Sequence, residues 1–455
     1  MNTPKKIAVK PMLAWVGLVF CMGSAMAGIP IERWVQASGA EVYLVPSPAI
    51  PMLDVQIDFD AGSRRDPPAQ AGLAGIMAAM SAKGVLAAGP TEPALDENAL
   101  SEAWADLGAS FGGGAGADRL SFSLRTLSYP DLLARAAALA ARQLGQPTFP
   151  DAVWQNERER LKASLREANT RPATLAARAF SRAVYGSHPY GQAMTEATLA
   201  AISVADMQGL QRTLLPCRAR VTLVGAVTRP QADELVHTLL ARLPPGPPGA
   251  CPPLAPLPEV AALTQPSEQT IAFDSAQAQV LFGQPGVTRA DPDYFALTVG
   301  NYVLGGGGFV SRLTSEVREK RGLTYSVYSY FAPGIHAGAF TVGLQTRSDQ
   351  AAAALQLARD VVARSVLAKF VAEGPTDAEL KAAKDNLVGG FALRIDSNAK
   401  LLDNVANIAW NNLPLDYLDT WTAQVEKITA ADIKAAFSRK LQPERMVTVV
   451  LGAGP

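Results

Sequence analysis

The sequence is short of histidine. Its 455 residues contain three, His188, His237 and His336, which stand 49 and 99 positions apart. A helix presents side chains on one face at i and i+4, so no helix here can offer the paired imidazoles of a helical zinc motif. Cysteine is as scarce, with Cys21, Cys217 and Cys251 only. No Ser/His/Asp or Cys/His constellation stands out that would mark a nucleophilic enzyme. A charge bias is also missing, since 41 basic side chains balance 41 acidic ones. A protein that binds nucleic acid through a global positive field needs a Lys/Arg excess, so no nucleic-acid partner is expected. The 18% of charged residues is too high for a multi-span membrane protein, and the 48% of hydrophobic residues too high for a disordered chain. A length of 455 residues suggests two or three domains.

Beyond the N-terminus, long apolar runs are lacking. Residues 1–27 read as a signal peptide. Lys5, Lys6 and Lys10 precede the apolar stretch Met12 to Cys21, and Ala25-Met26-Ala27 has the small-x-small form of a cleavage site before Gly28. The apolar run is too short to span a bilayer, and Gly23-Ser24 interrupts it. Removing this segment takes three lysines and leaves 38 basic against 41 acidic residues, a charge of about −3. The expectation is an exported protein with no stable membrane span, in the periplasm of a Gram-negative bacterium. Export gives Cys217 and Cys251 a context in which disulfides persist. Two readings of them stand: a bridge tying the end of the first half to the segment behind it, or two separate thiols.

A Pro-rich stretch, residues 243–267, has fixed φ angles and few N–H donors, so it reads as a semi-rigid linker. It separates an N-terminal domain over 28–242 from a C-terminal domain over 268–455. The two halves end alike. Ile202-Ser203-Val204-Ala205-Asp206 matches Ile428-Thr429-Ala430-Ala431-Asp432, and Arg220 to Val224 matches Met446 to Val450, both at an offset of 226. Ser203 and Thr429 each have an acid three residues on, the pattern of a capping box, and a Val/Thr-rich strand follows. An internal duplication with a pseudo-two-fold arrangement is the natural inference.

Within the first half, Val42–Pro46 and Leu53–Ala61 read as strands. The second alternates Val55, Ile57 and Phe59 inward with Gln56, Asp58 and Asp60 outward. Ala69–Met80 reads as an apolar helix, Ser121–Thr126 as a strand, and Tyr129–Leu144 and Val153–Ala168 as helices. The class is α+β.

The order of several short segments carries more information than any one of them. They are Asp60-Ala-Gly-Ser-Arg-Arg-Asp-Pro-Pro, Gly72-Leu-Ala-Gly-Ile-Met-Ala-Ala-Met, Leu107-Gly-Ala-Ser, Pro147-Thr-Phe-Pro, Glu157-Arg-Glu-Arg and Tyr185-Gly-Ser-His-Pro-Tyr-Gly. The second half adds Leu304-Gly-Gly-Gly-Gly-Phe-Val-Ser-Arg-Leu and Arg318-Glu-Lys-Arg-Gly-Leu-Thr-Tyr325. In this order they resemble the insulinase-type (pitrilysin, M16) metallopeptidase family, over essentially all of the chain after residue 27. The resemblance implies two homologous domains, each a mainly antiparallel sheet packed with helices, as in mitochondrial processing peptidase.

The same resemblance implies a lost metal site. Active members carry His-x-x-Glu-His on the first helix, with the Glu placed to deprotonate the zinc-bound water. Here the His positions fall on Gly75 and Ala79 and the Glu position on Ala78. The third ligand of the family lies seven residues after a Glu on a later helix. With Glu159 as that Glu, the position falls on Arg166, a permanent cation. The chain is therefore expected to bind no metal cofactor, with zinc in a partner.

In the family an Arg and a Tyr seven apart in the second half hold substrate at a zinc site, and they match Arg318 and Tyr325. Guanidinium and phenol are donors that can orient a peptide carbonyl and stabilise the oxyanion forming on it. Read from the residues alone, Arg318 belongs to a solvated charge run and Tyr325 to a strand core. Gly305–Gly308 lacks the Lys-Ser/Thr of a phosphate loop and reads as a turn. Gly112–Gly116 falls where the family pairs peptides onto an edge strand. Its glycines leave open a plain loop instead. His188, beside Pro189, reads as a turn residue. His237 and His336 have no partner motif.

The reading that collects these expectations is the non-catalytic subunit of a heteromeric zinc peptidase. It would pair with a homologous subunit that carries the intact motif, act on peptide or unfolded-protein substrate, and supply Arg318 and Tyr325 in trans. The rival is a catalytically inert peptide-binding or scaffold protein.

Overall fold

The computed structural model describes residues 28–246, 251–347 and 366–452. The expected signal peptide over 1–27, with Cys21, lies outside the described residues, as do linker residues 247–250.

Two sheets organise the chain. The first contains β1 (Glu32–Val35), β2 (Glu41–Pro46), β3 (Met52–Phe59), β6 (Ser110–Ala115), β7 (Leu120–Leu127) and β8 (Arg220–Gly225), in the order β1-β2-β8-β3-β7-β6. A short hairpin, β4 (Gly84–Val85) with β5 (Leu95–Asp96), stands apart from it. The second sheet contains β9 (Ser267–Ile271), β10 (Gln277–Pro285), β11 (Ser326–Phe331), β12 (Ala339–Arg347) and β13 (Val447–Leu451), in the order β11-β12-β10-β13-β9. Without β1, the two orders superimpose strand for strand. β2 runs parallel to β8 as β9 does to β13, while β3 and β10 pair antiparallel with both of their neighbours. The chain is α+β and doubled.

The repeated ends are built alike at atomic level. Ser203 Oγ accepts from the Asp206 N–H, and the Asp206 carboxylate accepts from the Ser203 N–H at 2.8 Å. Thr429 and Asp432 repeat this reciprocal capping, with the return bond at 2.9 Å. These boxes start the helices Val204–Gln211 and Ala430–Lys440, and each is worth about 1 kcal/mol to its helix.

The sheets are closed by an exchange of helices. In the first domain, one face of the sheet packs on that domain's own helices through Ile57, Phe59, Phe122, Met77 and Leu139. The other face receives helix Asn398–Trp410 from the second domain, which lays Leu402, Val405 and Ile408 on Tyr43, Val45 and Val224. In return, helix Pro172–Tyr185 of the first domain sets Ala179, Phe180 and Val184 against Ala339, Val447 and Val449 of the second sheet.

This exchange corrects one expectation. Gln56 and Asp58 of β3 do not face water: Asp58 is 1% exposed. The visiting helix covers the polar side of the strand. The buried Asp58 carboxylate is held by Gln56 Nε2, Ser121 Oγ and Arg119, and Arg119 reaches on to Asn407 of that helix. The boundaries of the first helix also shift. It runs Leu73–Met80, not from Ala69, because Gly72 takes φ +108 and a separate turn occupies Pro68–Gln70.

Candidate functional site

Helix Leu73–Met80 carries Gly75, Ala78 and Ala79, three of the positions to which the resemblance assigns zinc groups. It has no capping side chain of its own at Gly72. Instead the Asp66 carboxylate accepts from Gly72 N–H at 2.9 Å and Ala74 N–H at 3.0 Å. Burial pushes the Asp66 carboxyl up to about 6, against the pull of these backbone bonds.

One turn apart on this helix, Gly75 and Ala79 look into a cavity of about 410 Å³. Ile76, Met80, Trp154, Leu161 and Met194 make its apolar walls. Lys83, Glu157 and Arg160 lie at its polar side. Those charges satisfy one another: Lys83 Nζ lies 2.7 Å from Glu97 and 3.1 Å from Glu157, and Glu157 also meets Arg160 at 2.5 Å. Arg160, and Lys83 against the opposing effect of burial, hold the Glu157 carboxyl below the usual range.

The other expected zinc positions lie elsewhere. Ala78 is 1% exposed and turned under Gly113 of β6. Arg166, on helix Asp151–Ala168, points outward and grips Glu196 at 2.8 Å. The acid of that helix that does face the cavity is Glu157, which counting from Glu159 overlooks. The helical period held the signal: Trp154, Glu157 and Leu161 share a stripe, while Glu159 lies 68% exposed on another. The residues present do not fit a zinc ion. Gly75, Ala78 and Ala79 have no donor atom, and Glu157 is already neutralised by two cations. Among the described residues no group of three or more His, Cys, Asp or Glu is placed to hold a metal.

Beside the cavity runs β6. The glycines at 112–114, with a loop left open by sequence, form a strand at the sheet edge. Gly113 is required there, because a Cβ would stand 2.7 Å from the Phe122 ring and 3.3 Å from Ala78. Gly116 N–H donates to Arg119 C=O at 2.9 Å. Antiparallel alternation from that bond turns the N–H and C=O groups of Phe111, Gly113 and Ala115 to the free side. Among the described residues nothing takes them. The duplicate edge, β11, is different. By the same alternation from the Ala332–Ala339 bond, Ser329 faces outward. There Asn301 Nδ2 already donates to Ser329 C=O at 3.0 Å. One edge is open and its copy is plugged.

Arg318 ends a helical turn, Thr314–Glu319, and Gly322 at φ +63 redirects the chain toward β11. Tyr325 precedes that strand and is 79% exposed, not a core residue. Lys320 and Arg321 pair with Glu316, while the Arg318 guanidinium lies over the exposed Phe309 ring at 4.8 Å. Tyr325 is presented to solvent, while Arg318 is half-buried.

Across the domain junction, Cys217 and Cys251 form a disulfide. It anchors the Pro-rich segment, which Arg218 also holds at Pro252 C=O and Arg65 at Ala255 C=O. His188 caps a turn by accepting Tyr190 N–H at Nδ1, and its Nε2 lies 3.0 Å from Pro258 C=O. His336, which sequence left without a partner, packs against it. His237 stays exposed on helix Arg229–Leu240.

Comparison with known proteins agrees with this geometry. The family model described as the peptidase M16 inactive domain matches residues 210–387. A peptidase M16 inactive domain from Pseudomonas fluorescens is similar in structure, with TM-score 0.84 and 35% identity, covering 93% of this chain and 98% of that one. An uncharacterized zinc protease of Streptomyces coelicolor is 35% identical over 170 residues, 37% of this chain and 35% of the relative. A non-peptidase homolog of Helicobacter pylori is 33% identical over 171 residues, 37% of this chain and 38% of the relative. The matched stretches thus span little more than a third of these two curated relatives. With a doubled sheet and a structural match at 35% identity over nearly the whole of both chains, the chain belongs to the M16 peptidase family, with the family's inactive domains as its counterparts.

Proposed function

We propose that this chain is the non-catalytic subunit of a heteromeric M16 zinc peptidase. A homologous subunit with the intact zinc motif supplies the metal. This chain binds extended peptide along β6 and contributes Arg318 and Tyr325 to the partner's site. The observation that carries the reading is the contrast within one molecule: Gly75, Ala78 and Ala79 offer no donor, while Arg318 and Tyr325 are present, Tyr325 exposed and Arg318 half-buried. Donors of this kind act on the charge that develops on a peptide carbonyl during attack. The Cys217–Cys251 bridge, typical of oxidising compartments, supports an exported, periplasmic location.

The test is co-purification from the periplasm with the zinc-bearing homologue, followed by metal analysis and a peptide-cleavage assay. The isolated chain should hold no stoichiometric zinc and cleave nothing, and the complex should cleave. Arg318→Ala should assemble normally and lose about 100-fold or more in kcat, the scale of a lost transition-state donor. Full activity of that complex would sink the catalytic role.

A second reading, an inert peptide-binding homologue, is favoured by the open β6 edge, which needs no metal to hold a peptide. Peptide binding by the chain alone, with no zinc-bearing partner recovered, would select it.

A further inference from the structure

We propose that the tip of the β11–β12 hairpin is a proton-operated latch between the domains. At mildly acid pH the tip leaves its seat on the first domain, while the exchanged helices keep the two domains joined. The inference is independent of any peptidase role.

The seat is built for close contact. Gly334 has no room for a side chain, since a Cβ there would stand 2.6 Å from the Tyr190 hydroxyl and 2.9 Å from the Asp118 carboxylate. Ile335 N–H donates to Asp118 Oδ2 at 3.1 Å, and His336 N–H donates to the Tyr190 hydroxyl at 3.2 Å. That hydroxyl donates in turn to Asp118 Oδ1 at 2.6 Å. Tyr190 and Asp118 together hold the tip.

Tyr190 is itself placed by His188. Its N–H donates to His188 Nδ1 at 3.1 Å, so the neutral ring carries its proton on Nε2, 3.0 Å from Pro258 C=O. A second proton on this ring must go to Nδ1, where it sets donor against donor at the Tyr190 N–H. The charged ring cannot keep the turn that positions Tyr190.

The surroundings oppose the charge as well. Both His188 and His336 are buried, with ring centroids 5.1 Å apart. Glu259 Oε2, 3.1 Å from His336 Nδ1, offsets a charge on one ring but not on two. Asp118 is already paired with Arg64, which also binds Asp60, and Asp60 is shared with Arg65. Burial holds the Tyr185 and Tyr190 phenols above their ordinary value, so neither titrates in this range. Burial, and then His336, keep the seated His188 below 6.5. Release of the tip therefore takes up protons, and is favoured as pH falls through 6.5.

The opening is local. The helix exchange packs Leu402, Val405 and Ile408 on one sheet and Ala179, Phe180 and Val184 on the other, none of which titrates. At the base of the hairpin, Ala339 N–H donates to the Tyr185 hydroxyl at 2.8 Å.

The experiment is hydrogen exchange of the full chain at pH 7.5 and 5.0, read by mass spectrometry and corrected for the intrinsic pH dependence of exchange. Fragments covering Ile335 and His336 should lose protection about tenfold or more at pH 5.0, while β12 and helix Asn398–Trp410 keep theirs. His188→Gln gives the Tyr190 N–H an acceptor that does not titrate, and should keep the tip protected at pH 5.0. Glu259→Gln, a change at an exposed side chain, should move the loss to higher pH, and decides the matter if His188→Gln fails to fold. Equal tip protection at the two pH values overturns the latch. So does an equal loss in folded His188→Gln, or an unchanged pH of loss in Glu259→Gln. Simultaneous loss from β12 and helix Asn398–Trp410 is global opening, and overturns it too.

Discussion

His188 and His336, one from each domain, stand edge to face with ring centroids 5.1 Å apart. Around them lie Tyr185, Tyr190 and the Arg64–Asp118 ion pair from the first domain. Glu259 of the linker completes the surround. Its Oε2 is 3.1 Å from His336 Nδ1, within ion-pair range although outside hydrogen-bond geometry. The His188 ring accepts one backbone N–H, so its neutral form is the one the fold accommodates.

Burial, and then the neighbouring His336, push the His188 imidazole below its ordinary value of 6.5. A lowered folded-state value means that the unfolded chain takes up this proton first as pH falls. The stabilisation is full above 6.5 and is lost as pH drops through that value toward the lower folded one. Thermal melts between pH 7.5 and 5 should show the midpoint falling. His188→Gln, which keeps an acceptor and removes the titration, should flatten that fall. An equal fall in the variant would place the pH dependence elsewhere.

The Cys217–Cys251 bridge closes a segment of 34 residues. Restraint of the unfolded chain by a loop of that length is worth about 2–4 kcal/mol. Urea unfolding with and without reductant should show a loss of that size. Cys217→Ala/Cys251→Ala should reproduce it without reductant and be insensitive to reductant.

Phe180 is an anchor of the helix exchange, buried on the sheet of the opposite domain. Its ring lies so close to Gly283 that a Cβ there would stand 2.9 Å from it. Phe180→Ala should cost about 3–5 kcal/mol, as core Phe truncations do. Because each domain lends the other a helix, calorimetry should show the midpoint of both domains falling together, with no separate unfolding of the second.

Gly112 and Gly113 are neighbours in β6 with opposite tolerances. A Cβ at Gly112 meets nothing within 4 Å, while one at Gly113 meets the Phe122 ring at 2.7 Å. Gly112→Val should be neutral or stabilise by up to about 1 kcal/mol through strand propensity. Gly113→Val should cost about 1–3 kcal/mol by overpacking. Denaturant titration of the two variants separates these outcomes.

The halves of the site were unequally legible. That Gly75, Ala78 and Ala79 cannot bind zinc follows from side-chain identity alone. Which residue of helix Asp151–Ala168 faces them did not, because the register of one helix against another depends on how both are rotated in the packed domain. Counting from Glu159 selects Arg166, whereas the packing presents Glu157. β3 shows the same limit. Its alternation of apolar and polar residues located the strand correctly, but the expectation that Gln56 and Asp58 face water failed, because their cover comes from a helix more than 300 residues further along the chain.

By itself, then, the sequence determined the doubling and the lack of donor atoms at Gly75, Ala78 and Ala79. Capping boxes at Ser203 and Thr429 depend on residues three apart, and a missing imidazole is missing in any fold. Only the tertiary structure decided that the β6 edge is open while β11 is plugged by Asn301. It alone set His188 against His336, and left an apolar cavity beneath Gly75 and Ala79. Each of these depends on which distant surfaces come together, and long-range packing of that kind writes no local period into the chain.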